Sequence, residues 1–206
     1  MSAPIFLIEN PKCVFIHIPK TGGTSIRKGV FNLEHPCGAE WENVPAAWKK
    51  CFKFAFVRNP YDRLVSGWKY FKGEENFSFN DFVQIITGHK IHRDMMATRR
   101  PKEGQGLMLT LNGGATESIH HHLMPQLHPY NHLKHADFIG RFENLQEDFD
   151  KICDQLNAPR QKVPHFNKTN HKHYSSYYNK SIKMMADQYY EEDLQKLGYH
   201  FNKEWL

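Results

Sequence analysis

CVFIHIPKTGGTS, Cys13 to Ser25, decides the fold. Its first half, CVFIHI at 13 to 18, is a short run of apolar and β-branched residues with the composition of a buried strand. Its second half breaks at Pro19 and at the pair Gly22 and Gly23, and a helical pattern follows. CFKFAFV at 51 to 57 repeats that order: an aromatic-rich strand, a turn at Asn59 and Pro60, then a helix with Leu64, Val65, Trp68 and Phe71 on one face. Asn59 suits the cap of this helix, Pro60 its first position, and Asp62 lies three residues past the cap. Strand, turn, helix, repeated, is the pattern of an α/β protein with a central parallel sheet.

A third apolar run, ADFIG at 136 to 140, leads to Arg141 and to a helix with Leu145, Phe149, Ile152, Cys153 and Leu156 on one face. Asn144 and Glu147 are its expected capping pair, and Asn157 with Pro159 its end. The last helix is expected over roughly 181 to 197, with Ile182, Met185, Ala186 and Tyr189 at helical spacing and Gly198 as its stop. Between about 86 and 120 the periodicity fails, and a loop of this length reads as a lid or acceptor-facing insertion. With 206 residues and roughly 150 per domain, one domain over 1–206 is expected.

Composition narrows the function classes. The chain is 40% hydrophobic and 24% charged, as in ordinary globular proteins, which excludes collagen-like and wholly disordered readings. No stretch approaches the roughly 20 apolar residues of a membrane span, and the opening MSAPIFLIENPK lacks the pattern of a signal peptide. Cys13, Cys37, Cys51 and Cys153 show no CxxC pairing, so neither a disulfide framework nor a thiolate zinc site is expected, and the cytoplasm is the expected compartment. Twenty-seven basic against 22 acidic residues leave +5, an excess that suits an anionic small ligand. The nearest approach to a basic track, Arg93, Arg99, Arg100 and Lys102, reads as a solvated loop, so nucleic acid is not expected as a partner.

Two strand ends carry the chemistry. In HIPKTGGTS, 17 to 25, Gly22 and Gly23 let the backbone approach an anion, Thr21, Thr24 and Ser25 add hydroxyls, and Lys20 adds a positive charge. The nucleotide-triphosphate loop GxxxxGK[ST] does not fit, because here the lysine precedes the glycines. His17, within the expected strand, reads as a packed residue that orients the loop. In FVRNPYDRLVS, 56 to 66, Arg58 ends its strand and would project its fork at the carboxyl edge of the sheet, where open α/β folds bind ligands. Ser66 lies two turns into the following helix. Two anion-suited strand ends in one small sheet point to a ligand with two separated anionic groups.

HIPKTGGTS followed by FKFAFVRNPYDRLVS resembles the paired 5′-phosphosulfate and 3′-phosphate loops of sulfotransferases that use 3′-phosphoadenosine 5′-phosphosulfate (PAPS). The likeness is to the carbohydrate group, with heparan 2-O- and chondroitin sulfotransferases and small bacterial members. It continues through DFIGRFENLQEDF at 137 to 149 and PHFNKTNHKHYSSYY at 164 to 178, up to LGYHF at 197 to 201. The resemblance implies a P-loop-like three-layer α/β fold, a central parallel sheet flanked by helices. It further implies PAPS as sulfate donor, no metal requirement, and a hydroxyl acceptor on a glycan or glycoconjugate. Carried onto this chain, Lys20 contacts the phosphosulfate, Thr21, Gly22, Gly23, Thr24 and Ser25 cradle the 5′ side, and Arg58 with Ser66 holds the 3′-phosphate. Lys168 and Thr169, beside Asn167, are expected to close over the nucleotide by looser analogy, with a plain surface loop as the other reading.

The acceptor must lose a proton, and a histidine titrating near neutrality suits the task. In the 2-O-sulfotransferases the base lies between the two cofactor loops, and His35 is the only histidine in that interval here. A structural role for His35, or Glu34 or Glu40 as base, stays open at this point. Residues 120 to 135 hold six of the 14 histidines, but Pro125 and Pro129 break any helical ligand face. Of that stretch His122 and Gln126 are the residues expected to meet the acceptor. Two other readings are a non-catalytic PAPS-binding or product-binding protein and a nucleotide kinase-like enzyme.

Overall fold

The computed structural model describes residues 5–33, 41–71, 78–88, 108–110, 116–164, 166 and 172–202. They fall into two compact units, one formed by Met1–Arg58 with Gln126–Lys168, the other by Asn59–Pro125 with Thr169–Leu206.

The first unit holds the sheet. Strands β1 (Ile5–Ile8), β2 (Cys13–Ile16), β3 (Phe52–Val57) and β6 (Phe138–Arg141) lie in the order β1-β2-β3-β6. β2, β3 and β6 run parallel, as the strand-turn-helix pattern requires, and β1 is an antiparallel edge. Side chains alternate faces with a period of two, so register decides which rings meet. Here Phe6 pairs with Phe15, Phe15 with Phe54 and Phe54 with Phe138, a row of four phenylalanines crossing every strand on one face. The Phe15 and Phe54 rings stack at 5.0 Å between centroids.

The helix Leu145–Gln155 packs on that face through Leu145, Phe149, Ile152 and Cys153, the stripe its periodicity predicted. Each such side chain contributes about 2 kcal/mol of burial. Burial also pushes the Cys13 thiol up to about 12, with Cys51 and Cys153 adding smaller contributions. Cys13, Cys51 and Cys153 are free thiols.

Three local expectations are corrected. The strand expected over 13 to 18 is β2 and ends at Ile16, so His17 lies just beyond it. Asn144 caps no amide with its side chain; a short turn, Phe142–Asn144, precedes the helix, and Asp148 instead accepts from the Arg141 N–H at 2.8 Å. The expected last helix is two, Lys180–Tyr189 and Glu191–Leu197, interrupted at Tyr190, whose buried hydroxyl donates to the Leu123 carbonyl. Gly198 does stop the second, in the left-handed region at φ +67.

The second unit is helical. The helix Pro60–Tyr70 is capped as expected, the Asn59 side chain accepting from the Tyr61 N–H at 3.0 Å, and Asn59 Nδ2 donates to the His200 carbonyl at 3.1 Å. Leu64, Val65, Trp68 and Phe71 pack with Phe82, Ile86, Leu123, Ile182 and Ala186 from the other helices. Arg63, fully buried, donates to the carbonyls of His122 and Met124 at 2.7 and 2.8 Å. Of the expected insertion at 86–120, β4 (Met108–Thr110) and β5 (Thr116–Ser118) pair as an antiparallel hairpin leading into the helix Ile119–Leu123. Arg93, Arg99, Arg100 and Lys102 lie outside the described residues. No helix among the described residues is long and apolar enough to cross a membrane.

The double use of Asn59 predicts a graded response. Asn59→Ala removes the cap and the bond to His200 and lowers stability by about 1–2 kcal/mol, a drop of several degrees in the thermal midpoint. Asn59→Asp keeps the cap acceptor and loses less. Equal losses for the two variants in thermal melts contradict the capping role.

Candidate active site

The loop after β2 is held in an unusual shape by its own residues. Thr21, fully buried, donates its hydroxyl to the Ile18 carbonyl at 2.8 Å and so folds the loop back on the strand end. Lys20 and Gly22 both sit in the left-handed region, at φ +69 and +86. Glycine adopts it freely, whereas for lysine it costs about 1 kcal/mol or more. A Cβ at Gly23 would fall inside the imidazole of His17, so glycine there permits a close approach. His17 in turn lies 5.8 and 5.6 Å from the Phe6 and Phe15 rings. Ser25 and Ile26 donate their N–H groups to the Gly22 carbonyl and start the wide helical turn Ser25–Val30.

Hydroxyl roles differ from the expectation in one respect. The single O–H of Thr21 is committed to Ile18, so its hydroxyl serves the loop and not a bound anion. Ser25 Oγ accepts from the Phe166 N–H at 3.1 Å, a bond that does not consume its proton. Thr24 flanks the helical turn and makes no side-chain cap.

Because β2 and β3 are parallel, the two strand-end motifs emerge at the same edge. There the structure joins them: Arg58 Nη1 donates to the Lys20 carbonyl at 3.2 Å. The guanidinium also lies 4.1 Å from the centroid of the Phe142 ring, which follows β6 at the same edge. Phe142 closes the circle, since a Cβ at Gly22 would come within 3.1 Å of its ring. Only 6% of Arg58 is exposed. A planar fork held this way is suited to an anion.

The other predicted residues are dispersed. Gln126 is corrected: it is fully buried, its Oε1 accepting from the Arg58 N–H at 2.8 Å and its Nε2 donating to the Arg58 carbonyl at 2.9 Å. Its amide is therefore committed to the main chain of Arg58 and not to an acceptor. Ser66 is buried in the helix Pro60–Tyr70 of the second unit. His122, also there, places its ring 5.3 and 5.9 Å from Phe71 and Tyr70, and its carbonyl receives Arg63. His35, Glu34, Glu40, Asn167, Lys168 and Thr169 lie outside the described residues.

Of the six clustered histidines, His121 meets His122 at 5.7 Å and His132 meets His135 at 6.2 Å between ring centroids. His120 is held below its ordinary pKa by burial. His128 Nδ1 accepts from the Tyr130 N–H, and His135 stacks on Trp41 at 3.9 Å with its pKa lowered by burial and then by Lys134 and His132. Among the described residues no group of three or more His, Cys, Asp or Glu is placed to hold a metal ion. Phe142 and the role of Gln126 were missed by sequence reasoning. Phe142 was signalled only by its place directly after a strand end.

A curated human protein, carbohydrate sulfotransferase 9, is 21% identical over 199 aligned residues, covering 79% of this chain and 43% of the relative. The chain thus spans under half the length of that relative. No solved structure gives a significant match. The model of the sulfotransferase family matches residues 4–200, nearly the whole chain. With its mostly parallel sheet and two motifs meeting at one strand edge, this chain belongs to the sulfotransferase family.

Proposed function

We propose that this sulfotransferase takes its sulfuryl group from PAPS and places it on a hydroxyl of a carbohydrate, with residues 1–206 acting as one catalytic domain. The observation that carries the donor assignment is the junction of Arg58 with Lys20 at the edge shared by β2 and β3. The residues there suit a nucleotide with two anionic groups: a loop bearing Lys20 on one side, and a stacked guanidinium on the other. The name of the human relative supports a carbohydrate as the acceptor class.

When bound, the donor supplies an activated sulfuryl group whose sulfur leaves the bridging phosphate oxygen for the acceptor oxygen. In-line transfer of this kind depends on positioning and charge stabilisation. Lys20 neutralises the negative charge that builds on the phosphate side. Main-chain groups of Gly22 to Ser25, with the Thr24 and Ser25 hydroxyls, cradle the 5′ end. Arg58 receives the 3′-phosphate. His35 takes the acceptor proton, and His122 contacts the acceptor. No metal is required by this scheme.

A transfer assay with PAPS and a panel of glycan acceptors, following 3′-phosphoadenosine 5′-phosphate release and acceptor sulfation, tests the reading. Transfer to at least one hydroxyl-bearing glycan is expected. Normal product-nucleotide binding without transfer to any acceptor would favour a non-catalytic binding protein, and magnesium-stimulated ATP turnover a kinase-like enzyme.

Two substitutions probe the roles. Lys20→Ala abolishes turnover while the protein stays folded, and near-normal turnover removes Lys20 from the mechanism. His35→Ala lowers kcat by about 10²- to 10⁴-fold with little change in KM for PAPS. An unchanged kcat moves the base elsewhere.

A further inference from the structure

Arg58 stands one residue beyond the end of the sheet. The last Cα pair of the β3–β6 ladder is Val57 with Arg141, one residue before Arg58. Buried main-chain groups need partners, and here a side chain supplies them. The primary amide of Gln126 offers one acceptor and one donor in a plane, and it meets the Arg58 N–H and C=O at 2.8 and 2.9 Å. Gln126 thus acts as one extra rung, built from a side chain in place of a strand. The two residues also mark the points where the chain leaves the first unit and returns to it, Arg58 closing one segment and Gln126 opening the next.

With its backbone fixed by Gln126, the Arg58 side chain has two further restraints, the Lys20 carbonyl at 3.2 Å and the Phe142 ring at 4.1 Å. Backbone, fork and ring plane are all determined within the first unit. A guanidinium recognises a phosphate by geometry as well as charge, so a small displacement of its Cα costs selectivity before it costs general affinity.

We infer that Gln126 is a positioning residue for Arg58, which it holds at the strand end so that the guanidinium selects nucleotides bearing a 3′-phosphate. This inference rests on the donor reading above, in which Arg58 receives that phosphate. Selectivity is the quantity to measure: the ratio of affinities for 3′-phosphoadenosine 5′-phosphate and adenosine 5′-monophosphate, which differ only in the 3′-phosphate.

Calorimetric titration of the full chain with both nucleotides provides the test. The wild-type protein is expected to prefer the 3′-phosphorylated nucleotide. Gln126→Met, close in size but without the amide, lowers that preference about tenfold while affinity for adenosine 5′-monophosphate stays within about twofold. Gln126→Asn, one methylene too short to span both groups, shifts the ratio in the same direction and serves if the Met variant does not fold. In an Arg58→Ala background, where no guanidinium remains to be positioned, Gln126→Met changes the ratio no further.

An unchanged ratio in a folded Gln126 variant overturns the inference. So does an equal loss of affinity for both nucleotides, the mark of a merely structural residue, and so does a full effect that persists without Arg58. Absence of any preference in the wild-type protein instead removes the donor reading itself, and this inference with it.

Discussion

Parallel pairing of β2 with β3 is the constraint on which the site depends. A parallel pair sends both chains off the sheet at the same edge, so whatever each carries just past its last rung is delivered to one place. In this chain one strand delivers Lys20 and the glycine loop, the other Arg58, and the bond from the guanidinium to the Lys20 carbonyl records the encounter. The phenylalanine row from Phe6 to Phe138 fixes the register that makes this so, because a slip of one residue would turn every ring to the opposite face.

The edge is also where the chain accepts local cost. Lys20 occupies a conformation that lysine disfavours, Gly22 and Gly23 leave no room for side chains, and an arginine is nearly buried. These features persist because neighbours hold them: Thr21 ties the loop to Ile18, Phe142 stacks against Arg58, and Gln126 satisfies the Arg58 main chain. Strain and burial are thus concentrated in a few residues at one strand end.

Much of this was legible in the sequence, for reasons specific to each element. The strands at β2 and β3 announce themselves by aromatic and β-branched runs that stop at turn residues, and Asn59 with Pro60 marks a helix start by local chemistry alone. Strand β1 is less legible, because IFLI is an apolar run without periodicity and becomes a strand only through antiparallel pairing with β2. The break at Tyr190 depends on a carbonyl 67 positions away, and the Asn144 cap gave way to a tertiary bond between Asp148 and Arg141. Gln126 shows the limit most clearly. Nothing in its neighbourhood of histidines and prolines distinguishes an acceptor-facing amide from one turned toward a strand end 68 residues earlier. Its role is created by the three-dimensional return of the chain.

The central claim is that one sheet edge carries both anionic ends of a single nucleotide. Crystallisation of the protein with 3′-phosphoadenosine 5′-phosphate tests it most directly. The account predicts the 5′-phosphate among the main-chain groups of Gly22 to Ser25 and the 3′-phosphate on the Arg58 guanidinium, with Gln126 still bound to the Arg58 main chain. A nucleotide seated elsewhere, or one whose 3′-phosphate avoids Arg58, would contradict it.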